Sequence, residues 1–156
     1  MIQARFEVAQ GKPAAQSSTN AGGVASRAVD GNTNPIFTGG SITHTSTETN
    51  PWWRVDLGYS AFVANIGLWN RGDNGNELRL NGFTVLVGDT PDGDDGGPGS
   101  SPSCIADQPY PDLSVNLPCG LPGRYVWIQV LGTSKILSLA EVKVYTSDVR
   151  CLAAVT

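Results

Sequence analysis

The chain's single histidine, His44, and two arginines, Arg71 and Arg79, are the side chains best suited to gripping a ligand. An arginine offers a rigid planar fork of donors, and two of them discriminate hydroxyl geometry better than lysines would. Three donors converging on one point can hold a sugar hydroxyl, above all an axial one whose lone pairs project away from the ring. Phe37, near His44 in sequence, could cover the sugar's apolar edge. Asp73 can accept hydrogen bonds from the neighbouring guanidinium and fix its orientation. Arg71-Gly72-Asp73 also spells a tripeptide associated with integrin recognition, but a three-residue match is common by chance.

Other chemistries find little here. One histidine excludes a His-rich zinc site, and the three cysteines lack paired zinc spacing. There is no Gly-x-Ser-x-Gly elbow and no phosphate-binding glycine loop. Asp73 and Glu77 could flank a glycosidic bond, yet Arg71 and Arg79 nearby would keep both ionised and leave no protonated general acid. The AVDGN segment offers Asp30, a glycine suited to a tight turn and free carbonyls, as calcium would require. From these residues alone an ordinary Asp-Gly turn is the favoured reading. The acidic run Asp92–Asp95 departs from the EF-hand pattern: Gly96 replaces the third ligand, and Ser103 takes the place of the closing Glu. It reads as a solvated, exposed loop.

The elements that must position these residues are strands. WWRVDL sets Trp53, Val55 and Leu57 on one face, and FVANIGLW sets Phe62, Ala64, Ile66 and Leu68 together. FTVLV does the same with Phe83, Val85 and Val87, and YVWIQV with Val126, Ile128 and Val130. EVKVY alternates Val142 and Val144 with Glu141, Lys143 and Tyr145. Short period-two runs separated by turn residues describe antiparallel strands with one buried face, and no segment keeps a helical period. A β-sandwich or barrel is expected. At 156 residues the chain suits one domain, and 19 Gly and 10 Pro fit turns. Ten basic against 14 acidic residues, net charge -4, make a poor nucleic-acid binder. No apolar run is long enough to span a bilayer, so membrane insertion is not expected. MIQARFEVAQ lacks a signal peptide's apolar core, which suits either a chain not exported by that route or a mature domain with an added Met1. Cys104 and Cys119 could form a local disulfide, and Cys151 is left over.

Taken together, DGN, Phe37, Ser41, His44, NPWWRVDL, NRGD and ELR, followed by GRYV and AEVKVY, resemble the F-type lectins, the eel-agglutinin-like fucose binders. The likeness runs from about Gly11 to Tyr145. The family signature is a His, 26 residues, Arg-x-Asp, four residues, then Arg or Lys; His44 and Arg71 keep the first interval. The resemblance implies an all-β jelly-roll sandwich of the discoidin or galactose-binding type. Residues 1–10 would be an extension or first strand, 11–146 the lectin domain and 147–156 a tail. His44, Arg71 and Arg79 would bind the axial 4-hydroxyl and neighbouring oxygens of L-fucose, with Asp73 in the same site and Phe37 accepting the 6-methyl group. Calcium would support the loops through the carbonyls of Arg27, Asn32 and Ala140 and side-chain oxygens of Asp30, Ser41 and Glu141. The expected partners are fucosylated glycans of glycoproteins, glycolipids and blood-group-type oligosaccharides. A single site would bind weakly, so strength would come from a homo-oligomer or a longer chain. The setting would be extracellular, either as a secreted protein or as part of a larger one, and no catalysis is expected.

This sequence departs from the pattern in three places. Five residues, Asn74 to Leu78, separate Asp73 from Arg79, so Arg79 serves only if the loop absorbs one of them. Asn and Gly replace a cysteine pair often found in this loop. A disulfide of eel-type members would need cysteines at Ile42 and Ala140, where an apolar pair can pack instead; Cys104 and Cys119 match the family's other bridge. Cys151 has no counterpart and would be a free thiol or an intermolecular bond. The alternative reading is a discoidin-like carbohydrate- or phospholipid-binding module with another specificity.

Overall fold

Alternating apolar residues give seven strands, and every pairing among them is antiparallel. The computed structural model describes residues 5–92 and 95–147. In chain order the strands are β1 (Phe6–Glu7), β2 (Ala14–Gln16), β3 (Trp52–Asn70), β4 (Phe83–Gly88), β5 (Ser103–Gln108), β6 (Ser114–Val130) and β7 (Leu139–Thr146). The hydrogen-bonded order is β1-β7-β3-β6-β4-β5, with β2 also on β3. Within the first ten residues, Phe6 and Glu7 join the sheet as β1, Phe6 pairing with Thr146 and Glu7 with Tyr145.

The long strands β3 and β6 pair with each other along both halves, and they are shared by the two layers of the jelly roll. The first half of β3 joins β2 and the end of β6, which continues to β4 and β5. Its second half joins β7 and the beginning of β6. Inward residues from both halves, including Trp53, Val55, Leu57, Ile66 and Leu68, enclose one core with Phe83, Val85, Val126, Ile128, Val142 and Val144.

Phe62 departs from the expected face. It is 47% exposed although Ile66 and Leu68 are buried. The register slips between Val63 and Asn65 on both neighbouring strands, and against β7 it leaves Ala64 as an extra residue. Such a bulge exchanges the two faces of a strand, so Val63 points inward and Phe62 outward.

The acidic loop is also more than a solvated excursion. Its backbone folds onto the outer face of the sheet, where the Gly96 carbonyl accepts hydrogen bonds from Arg54 Nη1 at 2.7 Å and Trp127 Nε1 at 3.1 Å. Gly97 and Pro98 are buried as a result. Cys104 of β5 and Cys119 of β6 form a disulfide. Cys151 and the tail from 148 lie outside the described residues. No helix among the described residues is long and apolar enough to cross a membrane.

Candidate functional site

The loops from 17 to 50 and from 71 to 82 meet at one end of the sandwich. His44 is held there mainly by its backbone. Its N–H donates to the Gly23 carbonyl at 2.9 Å, and its carbonyl accepts from Asn20 N at 2.8 Å. On either side, Thr43 and Thr45 pair with Leu139 and Leu137 through backbone N–H bonds and hydroxyl acceptors. The same register sets Ile42 opposite Ala140, both fully buried, where an apolar pair was expected.

His44 Nδ1 lies 2.7 Å from the Thr45 carbonyl. That oxygen can only accept, so Nδ1 carries the proton. Burial, and then the charges of Arg79 and Arg71, push the His44 pKa below its ordinary 6.5, against the opposing Thr45 bond. The ring is therefore neutral at pH 7, and Nε2 is an acceptor, not the third donor expected from sequence. Arg79 Nη1 lies 3.3 Å from it.

Arg71 ends β3's exit and is 8% exposed. Its Nε donates to Asp73 Oδ1 at 2.6 Å and its Nη2 to Asp73 Oδ2 at 3.1 Å. This bidentate pair fixes the guanidinium plane, and the bonds from Arg71 hold the Asp73 carboxyl below its usual range. Nη1 makes no bond to protein among the described residues. The guanidinium carbon sits 4.7 Å from the Phe37 ring centre, and Phe37 meets His44 edge-on at 5.7 Å. The half-buried Phe37 thus packs against both polar residues. The backbone of Gly72 binds the Pro35 carbonyl at 2.9 Å, tying the two loops together.

The extra residue before Arg79 is absorbed by a tight turn. Asn74 and Gly75 both take left-handed conformations, φ 57° and 74°, and a 3-10 helix follows over Asn76–Leu80. Leu80 is buried, Leu78 is 56% exposed, and Arg79 turns to His44. Burial and the Arg71 charge work against the Arg79 cation, and Asp73 partly offsets them. Asn70 secures the loop from below, donating to the carbonyls of Glu77 and Pro111. Asp73 is accordingly ionised and committed to Arg71, and it has no proton to give. Glu77 forms no ion pair with either arginine among the described residues.

The role of Gly23 is not visible in the sequence. A Cβ there would lie 2.5 Å from His44 N and Cβ, so only glycine lets this backbone approach so closely. The neighbouring Gly-Gly pair reads in sequence merely as a turn.

Of the residues expected to hold calcium, Arg27, Asp30, Asn32 and Ser41 lie in the 17–50 loop, and Ala140 and Glu141 at the start of β7. Glu141 is 1% exposed with Oε1 unpartnered. Burial pushes its pKa up to about 8; a Gly31 backbone bond opposes the rise, and the Asp30 charge adds to it. Ser41 is fully buried and its hydroxyl donates to the Asn34 carbonyl at 2.5 Å. Asp30 is exposed, and its carboxylate accepts from Asn32 N at 2.9 Å. Arg27 reaches the Ile42 carbonyl through Nη1. An orphaned buried carboxylate oxygen beside a second carboxylate fits a hard cation completed by neutral oxygens. Among the described residues no three His, Cys, Asp or Glu side chains form a metal cluster, so such an ion would depend on those neutral ligands.

Residues 27–128 match the NedA-like, galactose-binding domain family. Fucolectin of Anguilla anguilla is 36% identical over 121 residues, which are 77% of this chain and 75% of that protein. The chain belongs to the fucolectin, or F-type lectin, family. Among solved structures, an f-lectin from striped bass (Morone saxatilis) serum matches with TM-score 0.83 and 34% identity, over 92% of this chain and 48% of that one. The lectin domain of lectinolysin, complexed with Lewis B antigen, matches with TM-score 0.78 and 35% identity, over 92% of this chain and 98% of that one. These fucolectin relatives share the jelly roll described above. The chain spans 29% to 75% of the curated relatives it matches, and about half of the bass lectin.

Proposed function

We propose that this chain is a lectin that binds L-fucose and fucosylated glycans reversibly, supported by calcium and without catalysis. The observation that carries the reading is the preset cluster at His44, Arg71 and Arg79, with Asp73 orienting Arg71 and Phe37 beside it. An axial hydroxyl entering the cluster donates its proton to neutral His44 Nε2 and accepts from the guanidinium N–H groups. The hydroxyl then uses both its donor and its lone pairs, and a sugar lacking it leaves partly buried donors unpaired. What remains accessible of the Phe37 ring receives the sugar's methyl group. The fucolectin relatives and a fucose binding module of Streptococcus pneumoniae among the structural relatives support this choice of sugar.

Calcium is assigned to side-chain oxygens of Asp30, Ser41 and Glu141 and the carbonyls of Arg27, Asn32 and Ala140. When bound it supplies positive charge that compensates two neighbouring carboxylates. The protein's own residues then anchor the loop carrying Phe37 and His44. We further assign the chain to an extracellular setting, where several sites on an oligomer or a longer chain would act together.

Titration calorimetry with L-fucose, with D-glucose as the control, tests the reading. Heat with fucose alone is expected, weakened by chelation. Equal response to the two sugars, or none from folded protein, would reject it.

A further inference from the structure

Beside Arg79 lies an open groove of about 320 Å³ lined by Leu78, Arg79, Asn81, Ser134, Lys135 and Ile136. Its size is at the lower end for ligand sites. It contains two cations and no acid, on a chain whose net charge is -4. Neither cation has an ion-pair partner among the described residues, where the pairs are Arg71–Asp73 and Arg124–Asp56. Glu48, whose backbone is bridged to that of Lys135, has its side chain engaged elsewhere: its Oε1 accepts from the hydroxyls of Ser17 and Ser18.

Lys135 is also well placed for a surface lysine. Its N–H donates to the Glu48 carbonyl at 2.8 Å, and the Glu48 N–H donates back to the Lys135 carbonyl at 2.9 Å. Its stem crosses Gly132, where an added Cβ would come within 2.9 Å of Lys135 Cε. Ser134 before it holds a left-handed φ of 54°, a conformation non-glycine residues adopt at a cost. By contrast, the groove on the other side of Glu48 is lined by Glu48, Asp92 and Asp95 and would repel an anion.

We propose that the Arg79–Lys135 groove is a second subsite, which takes an anionic substituent, a sulfate ester or a carboxylate, carried on the sugar adjoining the fucose. The inference rests on the fucose reading, since Arg79 is common to both subsites. Lys135 supplies the charge, while the Asn81 amide and Ser134 hydroxyl add donors for the anion's remaining oxygens.

The test is calorimetry on the intact chain with four probes at low salt. These are free L-fucose, a neutral fucosylated trisaccharide, the same trisaccharide sulfated in turn at each free position of the adjoining hexose, and its carboxylate-bearing counterpart. At least one anionic form is expected to bind roughly three- to tenfold more tightly than the neutral one, with the gain lost at about 1 M salt. Which form gains identifies the source of the anion. Lys135→Glu and Lys135→Met should cancel the gain and leave free L-fucose affinity unchanged. Absence of any gain, or a gain surviving both substitutions, overturns the subsite while fucose binding stands. Failure of free L-fucose to bind overturns the fucose reading, and this inference with it.

Discussion

Two polar clusters share the loop between Ala25 and Thr45, and they differ in how complete they are without a ligand. In the cluster proposed to face the sugar, Arg71 is already clamped by Asp73, and His44 is fixed by Gly23, Asn20 and Thr45. At the other cluster, buried Glu141 keeps an unpartnered oxygen beside Asp30. An unmet buried carboxyl oxygen is costly, whereas a guanidinium paired with a carboxylate, as Arg71 is with Asp73, costs far less to bury. The first cluster is therefore preorganised, and the second is left for the cation proposed above to complete. On this account the sugar contacts decide affinity and the cation decides how firmly their loop is held.

The largest effect should come from Arg71→Ala. It removes charge-assisted donors worth about 3 kcal/mol or more, a loss of over a hundredfold in L-fucose affinity. The variant should still melt cooperatively, and calcium should still raise its melting temperature. Next, Asp30→Ala should abolish that calcium response. A ligand at a hundredfold excess over its Kd stabilises by about 2.7 kcal/mol, roughly 5–10 °C for a chain of this size. An Asp30→Ala protein whose melting temperature still tracks calcium would dissolve the contrast between the clusters.

Gly23→Ala sharpens the comparison, because it touches no ligand. The added methyl must displace His44's backbone, costing about 1–3 kcal/mol of stability and about tenfold in fucose affinity. Gly22→Ala makes the fair control: its position is strained at φ 72° but open, so it should lose stability alone. The smallest effect is on pH. Because His44 titrates below 6.5 and must be neutral to accept a hydroxyl proton, affinity should be flat from pH 7 down to 6.5. It should then fall below the lowered pKa, by no more than about tenfold per pH unit. The same group favours folding at neutral pH, and that contribution fades as pH drops below 6.5, where the unfolded chain takes up the proton first. A matched series of titrations from pH 5 to 7.5 checks this.

The inner faces of the strands were legible because burial on one side imposes a period of two, which Trp53, Val55 and Leu57 or Phe83, Val85 and Val87 display directly. Phe62 was not, because one inserted residue reverses the faces without changing the composition. His44, Arg71 and Asp73 were visible from side-chain chemistry and spacing, and the Asp73 clamp followed from the two-residue separation. The route by which Arg79 reaches His44 was hidden in a 3-10 turn that absorbs a residue. The capping role of the acidic loop was hidden too, since it acts through the Gly96 carbonyl, and a backbone group leaves no signature in residue type. His44 as an acceptor likewise depends on a neighbouring carbonyl that only the fold positions.

The most direct test is a crystal structure of the chain with L-fucose and calcium bound together. The sugar's axial hydroxyl should lie within hydrogen-bond distance of His44 Nε2 and of both guanidinium groups, with an ion between Asp30 and Glu141. Fucose seated elsewhere, such as in the groove beside Glu48, or an ion away from Glu141, would contradict the account.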